Sequence, residues 1–342
     1  MGDIREALER LPRFPLAVLP TPLEDLPALT RHLGGPRIMM KRDDLTGFAL
    51  GGNKSRKLEF LVADAMRQGC SAIVTAGAAQ SNHCRQTAAA AAKAGIACEL
   101  VLSGTPAEAN PPSGNLLLDL LFGATLHWTT RELRMQTLAD VAEGLRAGGK
   151  RPYVIPYGGS NPIGATGYLL AYLEFVEQCI ARHVSPDTIV VASSSGGTQA
   201  GMMAGAAVAE TRAVVRGISI DKGERDPVPF EQELAGLANG VLSLLGHPGR
   251  VRPEQAIVEY GYLGGGYGVV GPLEREAISL VARLEGIVLD PVYAGRAMGA
   301  LIDMIRNARL DPGDTVVFWH TGGSPALFAY APELAPWRTA ER

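Results

Sequence analysis

Apolar residues follow two alternating patterns along the chain: short β-branched runs, and longer segments in which they recur every three or four positions. This alternation is the signature of βαβ units and predicts an α/β fold with a mostly parallel sheet. From Ser55 onward Leu58, Leu61, Val62, Ala65 and Met66 share one helical face, Gly69 ends the helix, and residues 72–75 read as a buried strand. Past the loop at 76–80, Ser81 and Asn82 are suitable caps for an alanine-rich helix over 83–93, which Gly95 stops before a strand at 98–102.

Residues 103–114 are rich in proline and small side chains and predict an exposed excursion, after which helix and strand resume over 116–126. A helix over 133–147 and a strand over 153–156 lead to the glycine turn Tyr157-Gly158-Gly159-Ser160-Asn161-Pro162. A domain seam is expected there, before a helix over 164–181. The strand at 188–192 delivers Ser193-Ser194-Ser195-Gly196-Gly197-Thr198, which opens a helix over 199–210. Beyond a strand at 213–220 no period is readable until the aromatic and glycine loop at 260–268. A helix over 272–285, a further helix after Arg296, a strand at 315–319 and the loop at 320–325 complete the pattern, with no internal repeat.

Composition narrows the class. The 342 residues are 46% hydrophobic and 20% charged, enough for a sizeable core in two domains or one large α/β unit. A net charge of −3 without blocks of like charge recommends neither nucleic acid nor an anionic membrane as partner, which leaves a small metabolite. Cys70, Cys84, Cys98 and Cys179 are far apart, without C-x-x-C spacing, and no secretory leader precedes them; free thiols in the cytoplasm are expected. No apolar stretch reaches the roughly 18 residues of a membrane span, and no metal site is expected.

Two segments carry candidate chemistry. In Gly51-Gly52-Asn53-Lys54-Ser55-Arg56-Lys57 a lysine stands where a glycine turn meets a helix. Burial, or cations such as Arg56 and Lys57, would depress its pKa and make it a nucleophile toward an aldehyde. Flanking glycines would let a planar ring approach the backbone. The loop at 193–198 offers N–H groups, hydroxyls and a helix N-terminus to one phosphate. It has neither Walker nor G-x-G-x-x-G spacing, so a lone phosphomonoester fits better than a nucleotide. It could equally be a tight strand-to-helix connection. Several such loops lie at strand carboxyl ends, where an open parallel sheet binds ligands.

In their order, Lys41-Arg42-Asp43-Asp44, Gly51-Gly52-Asn53-Lys54, Gln80-Ser81-Asn82-His83, Gly158-Gly159-Ser160-Asn161, Leu284-Glu285-Gly286, Asp290-Pro291-Val292-Tyr293 and His320-Thr321-Gly322-Gly323 resemble the D-cysteine desulfhydrase and 1-aminocyclopropane-1-carboxylate deaminase family, over almost the whole chain. The resemblance implies a fold type II pyridoxal 5′-phosphate enzyme with two open, mostly parallel twisted sheets and helices on both faces. It implies a large cofactor-binding domain from residues 1–54 and 164–342, a small domain from 55–163, and a homodimer.

It also implies roles. Lys54 would bond the cofactor aldehyde as an imine and later act as the base at Cα. Asn82 would touch the cofactor's 3′-oxygen, Ser195, Gly196, Gly197 and Thr198 would hold its phosphate, and Thr321 would face the pyridine nitrogen. A neutral hydroxyl there makes a milder electron sink, suited to expelling a β-substituent. Ser81, Asn82, His83 and Gly159 would hold the substrate, with Ser81 and Asn82 also capping their helix. Tyr267 and Tyr293 would flank the site near the cofactor and the leaving group.

The expected reaction is α,β-elimination on a small amino acid, foremost D-cysteine, through an aminoacrylate to pyruvate, ammonia and sulfide. L-cysteate sulfo-lyases resemble the chain almost equally, and β-replacement is a further alternative. The cyclopropane deaminases are expected to carry Glu and Leu where this chain has Ala294 and Thr321, so that activity is disfavoured. Ala294 also departs from the desulfhydrases, which usually have a hydroxyl residue there. Tyr157, ahead of the glycine turn, and Ser194, where glycine is usual, are local departures that would reshape the pocket.

Overall fold

Among the described residues, 2–106, 111–224 and 227–335, the computed structural model arranges ten strands in two open sheets. In chain order these are β1 (Leu23–Asp25), β2 (Arg37–Arg42), β3 (Ala72–Ala78), β4 (Ala97–Ser103), β5 (Thr125–Thr129), β6 (Pro152–Val154), β7 (Thr188–Ser193), β8 (Val214–Ser219), β9 (Ile257–Glu259) and β10 (Thr315–His320). The larger sheet has the order β1-β2-β10-β7-β8-β9, parallel except for the β1–β2 pair, and the smaller, β5-β4-β3-β6, is wholly parallel.

The central strands are apolar throughout because both faces are covered. Along β7 and β10, Ile189, Val191, Val317 and Trp319 enter one core, while Val190, Val316 and Phe318 enter the core on the opposite face. In the smaller sheet Ile73, Leu100 and Leu102 likewise oppose Val74, Ala76 and Val101.

Most expected elements occur, with boundaries moved by a few residues. The lysine segment forms the Lys54–Arg67 helix, and the Ser81 loop opens the Asn82–Ala94 helix. The unreadable stretch holds the Phe230–Leu244 helix and β9, and part of the 103–114 excursion lies outside the described residues. The Pro162–Ala181 and Gly197–Ala209 helices meet almost backbone to backbone. A Cβ on Gly201 would come within 2.3 Å of the Ala165 carbonyl oxygen, and one on Gly205 within 2.5 Å of the Tyr172 Cβ. No helix among the described residues is long and apolar enough to cross a membrane.

One buried polar cluster joins the N-terminal segment to the rest. The Asp43 carboxylate accepts hydrogen bonds from Thr21 Oγ1 (2.8 Å), Arg56 Nη2 (2.9 Å), Arg56 Nε (3.1 Å), Tyr168 Oη (2.6 Å) and Trp319 Nε1 (2.9 Å). Arg56 also pairs with Glu174, as does the Lys41 ammonium at 2.6 Å. The Asp43 main chain continues the anchor: its carbonyl accepts from the Gly52 N–H at 3.0 Å, two residues before Lys54. Gly51 has a φ of +73°, and a Cβ there would lie 1.8 Å from the Asp44 carbonyl oxygen, so only glycine fits the turn.

Burial by itself would raise the Asp43 and Glu174 pKa values, but Arg56 and Lys41 outweigh it and hold both below the ordinary carboxylate range. Depressed folded-state values contribute stability above the unfolded carboxylate pKa, and that contribution is lost as pH falls through the folded values. Urea unfolding should therefore show the midpoint falling as pH drops below about 4, and Asp43→Asn should flatten that dependence. Arg56→Met, which takes from the buried Asp43 carboxylate its hydrogen-bonded cation, should cost about 3–5 kcal/mol at neutral pH.

Candidate active site

The carboxyl ends of β7 and β10 and the loop after β3 enclose a pocket, as expected for an open parallel sheet. Lys54, Ser81, Asn82, His83, Ser195, Gly196, Thr198, Tyr293 and Thr321 all line it. Gly159, Gly197 and Tyr267 do not. Gly159 packs behind the wall near Leu61 and His83, the Gly197 N–H donates to Ser160 Oγ at 3.1 Å, and Tyr267 reaches the pocket through the Tyr293 hydroxyl at 2.6 Å.

Lys54 is the first residue of its helix. The preceding Asn53 fixes it from two sides: its N–H donates to the Thr321 carbonyl at 2.9 Å, and its Nδ2 to Thr198 Oγ1 at 3.1 Å. Burial lowers the Lys54 pKa to about 8, against the Asp290 carboxylate, which raises it. The expectation that Arg56 and Lys57 would depress it does not hold. Arg56 turns away into the Asp43 and Glu174 cluster. Repulsion between the two ammonium groups appears at Lys57, whose pKa burial and Lys54 together drive well below the ordinary lysine value.

The residues after β3 are oriented in detail. Ser81 caps its helix, Oγ accepting from the Cys84 N–H at 3.2 Å. Asn82 Oδ1 accepts from Asn115 Nδ2 at 2.8 Å, leaving the Asn82 Nδ2 as a donor on the side of Gly323. Gln80 holds Asn115 in place, its Oε1 accepting from the Asn115 N–H. The Thr75 hydroxyl spends its proton on the Ile155 carbonyl, so His83 Nε2 must be the donor in its 2.8 Å contact with Thr75 Oγ1. His83 Nδ1 is then a bare acceptor without a partner, and burial followed by the charges of Lys54 and Lys57 keeps the ring neutral. A carboxylate could not bond that nitrogen, whereas the backbone N–H groups at the helix start could receive one.

Sequence reasoning missed Ser160, Asn115 and the position of Lys57. Lys57 lies one helical turn from Lys54, a spacing that puts both on one face. Its Nζ donates to the Gly158 carbonyl (3.1 Å) and Ser160 Oγ (3.3 Å), and no carboxylate pairs with it among the described residues. Ser160 Oγ also meets Ser195 Oγ at 2.8 Å. The same corner contains the buried, unpartnered hydroxyl of Ser193. At Gly196 a φ of +79° turns the chain into the Gly197–Ala209 helix. A buried amine whose charged form lacks a carboxylate partner, beside a free hydroxyl and a helix start, is completed by an anion, and these residues fit a phosphate-bearing aldehyde whose ring extends toward Lys54.

The comparisons agree. A model of the pyridoxal-phosphate dependent enzyme family matches residues 15–322, and the chain belongs to that family. It is 44% identical over 334 residues to a D-cysteine desulfhydrase of Salmonella choleraesuis, covering 96% of this chain and 98% of the relative. The D-cysteine desulfhydrase of Klebsiella pneumoniae strain 342 is 44% identical over 332 residues, with the same coverage. A crystal structure of an ACC deaminase homologue superimposes with a TM-score of 0.87 at 37% identity, covering 98% of both chains. The two-sheet fold type II architecture and the pyridoxal 5′-phosphate cofactor follow.

Two outcomes are expected. Lys57→Met should weaken pyridoxal phosphate binding by about tenfold or more, a loss of at least about 1.4 kcal/mol, in a fluorescence titration of the cofactor-free protein, while the visible absorbance band returns at saturation. Covalent capture of the cofactor needs the neutral Lys54 amine, so its rate, followed by absorbance, should rise with pH and level off above about 8.

Proposed function

We propose that the chain is a lyase that removes the β-substituent of D-cysteine and yields pyruvate, ammonia and hydrogen sulfide. What supports this most is 44% identity over almost its full length to D-cysteine desulfhydrases, in a chain whose Lys54, Ser81, Asn82, His83 and Tyr293 line one pocket. Bound pyridoxal phosphate supplies the electron sink that acidifies the Cα–H bond and loosens the β-substituent.

The remaining work falls to this chain's side chains. Lys54, with a pKa of about 8, is a base matched to removing the Cα proton near neutral pH. The Ser81 hydroxyl and the Asn82 and His83 N–H groups hold the substrate carboxylate at the positive end of their helix. Asn82 Nδ2 would donate to the cofactor's 3′-oxygen, Ser195 to Thr198 with Lys57 would hold the phosphate, and Thr321 would offer a neutral hydroxyl to the pyridine nitrogen. Tyr293, backed by Tyr267, keeps its phenol proton because burial raises both values well above the ordinary tyrosine range. That proton is available to the departing sulfur. Gly159, behind the wall against His83, supports the substrate side without lining it.

In this reading residues 1–54 and 164–342 make the large cofactor-binding domain and 55–163 the small one carrying Ser81 to His83. The protein is a cytoplasmic homodimer that needs neither nucleic acid nor membrane; its four unpaired cysteines suit a reducing compartment.

The test is incubation of the cofactor-loaded protein with D-cysteine, L-cysteine, L-cysteate and 1-aminocyclopropane-1-carboxylate, with pyruvate, sulfide and sulfite measured. Equal amounts of pyruvate and sulfide from D-cysteine are expected, with Lys54→Ala abolishing both while circular dichroism is unchanged. Sulfite from L-cysteate without sulfide from D-cysteine would overturn the assignment.

A further inference from the structure

The hydroxyl pair Tyr293 and Tyr267 has a neighbour that the reaction as described leaves unused. Tyr157, in the turn after β6, lines the catalytic pocket and also an outer groove that contains Arg134, Asp221 and Lys222. Arg134, the first residue of the Arg134–Ala147 helix, places its guanidinium over the Tyr157 ring, 4.6 Å from the centroid, and its Nε has no partner. Asp221 follows β8 and leaves Oδ1 without a partner. The Tyr157 phenol lies within electrostatic reach of Tyr267 and Ser194, and Ser194 within reach of Asp221; Ser194 Oγ itself stands outside normal hydrogen-bond geometry.

A donor inside such a cluster has a difficulty. Once Tyr293 gives up its proton, a phenolate is left in surroundings that disfavour charge, and Tyr267, its 2.6 Å partner, is equally enclosed. Some group must return the proton from water. We propose that Tyr157 is a third proton-carrying phenol, the link through which Tyr267 and Tyr293 regain from the outer groove the proton that they give to the leaving β-substituent.

This inference rests on the elimination reaction proposed above. In the step, the bond from Cβ to sulfur breaks with its electron pair staying on sulfur, and the hydrosulfide takes the Tyr293 proton to become hydrogen sulfide. Tyr267 then donates to Tyr293 and Tyr157 to Tyr267, and the Asp221 carboxyl or groove water restores Tyr157; no electrons enter or leave. Tyr157 acts through the other two and is a positioning residue.

Its charged surroundings are balanced for this. Burial raises the Tyr157 pKa and Asp221 raises it further, while Arg134 lowers it. Burial also raises the Asp221 pKa, so its carboxyl holds a proton at higher pH than an exposed one. Lys222, Arg131 and Arg134 moderate Asp221 from the groove, where Lys222 also pairs with Glu233; Lys54, His83 and Tyr293 are the titratable groups on the pocket side.

The test varies the leaving group. Hydroxide from D-serine departs only with a proton, a thiol benefits from one, and chloride from β-chloro-D-alanine needs none. For Tyr157→Phe, kcat should fall about 10²-fold with D-serine, less with D-cysteine, and change less than about twofold with β-chloro-D-alanine, KM being kept throughout. An equal loss on all three, or none on D-serine, would overturn the proposal. A second readout needs no turnover: in an ultraviolet titration of the cofactor-free protein, Arg134→Gln should move one phenol ionisation upward, and Tyr157→Phe should remove that shift. A shift that is absent, or unchanged by Tyr157→Phe, overturns the coupling. If the wild-type protein eliminates from none of the three substrates, the proposed function fails, and this titration still decides whether Tyr157 is poised as inferred.

Discussion

The buried Asp43 carboxylate is the constraint on which the position of Lys54 depends. Its five hydrogen bonds come from Thr21, Arg56, Tyr168 and Trp319, which lie far apart in the chain, and its main-chain carbonyl holds Gly52. Removing such charges from water costs several kcal/mol per ion, so the cluster adds little net stability over a well-packed apolar core. Its value is geometric. It fixes β2, the Lys54–Arg67 helix, the Pro162–Ala181 helix and β10 at one point, and the glycine turn hung from that point delivers the lysine.

Within the pocket, burial does more than charge to set chemical character. Lys54 and Lys57 lie on the same helical face and are both desolvated, yet their surroundings divide the labour. Lys54 has Asp290 in electrostatic reach and keeps a pKa of about 8. Lys57 has only a carbonyl and a hydroxyl, so it gains most from an anion. The same logic keeps His83 neutral and Tyr267 and Tyr293 protonated. The site therefore assembles neutral donors and acceptors around Lys54, whose amine can change state near physiological pH.

Much of this was legible in the sequence, for physical reasons. Buried parallel strands read as continuous β-branched runs, and glycine turns mark where backbone must pass close to backbone. Helix stops at Gly95 and Gly286, both left-handed, fall where expected. The Phe230–Leu244 helix has apolar residues at suitable spacing, Phe230, Leu234, Ala238 and Val241, but Gly236 and Gly240 interrupt the signal. Tyr168 and Trp319 were not legible as partners of Asp43, because hydrogen bonds between residues more than a hundred positions apart leave no local period. Of the two expected sources of the Lys54 shift, burial holds and the cations do not: adjacency in sequence placed Arg56 nearby, whereas on the helix it points to another face. Asn115 gave no signal at all, since its task is to orient Asn82 across a helix contact.

The interlocked glycines of the Pro162–Ala181 and Gly197–Ala209 helices have a mechanical consequence. Elements that meet at main-chain distance cannot slide without a steric clash, so the loop at 196–198, at the start of the second helix, is part of a stiff chassis. Any breathing that admits an amino acid and expels a gas must be taken up by the opposite wall, the four-stranded sheet with Ser81 to His83. Compliance is thus confined to the half of the cleft that handles traffic, while the half that would grip a permanent tenant stays rigid.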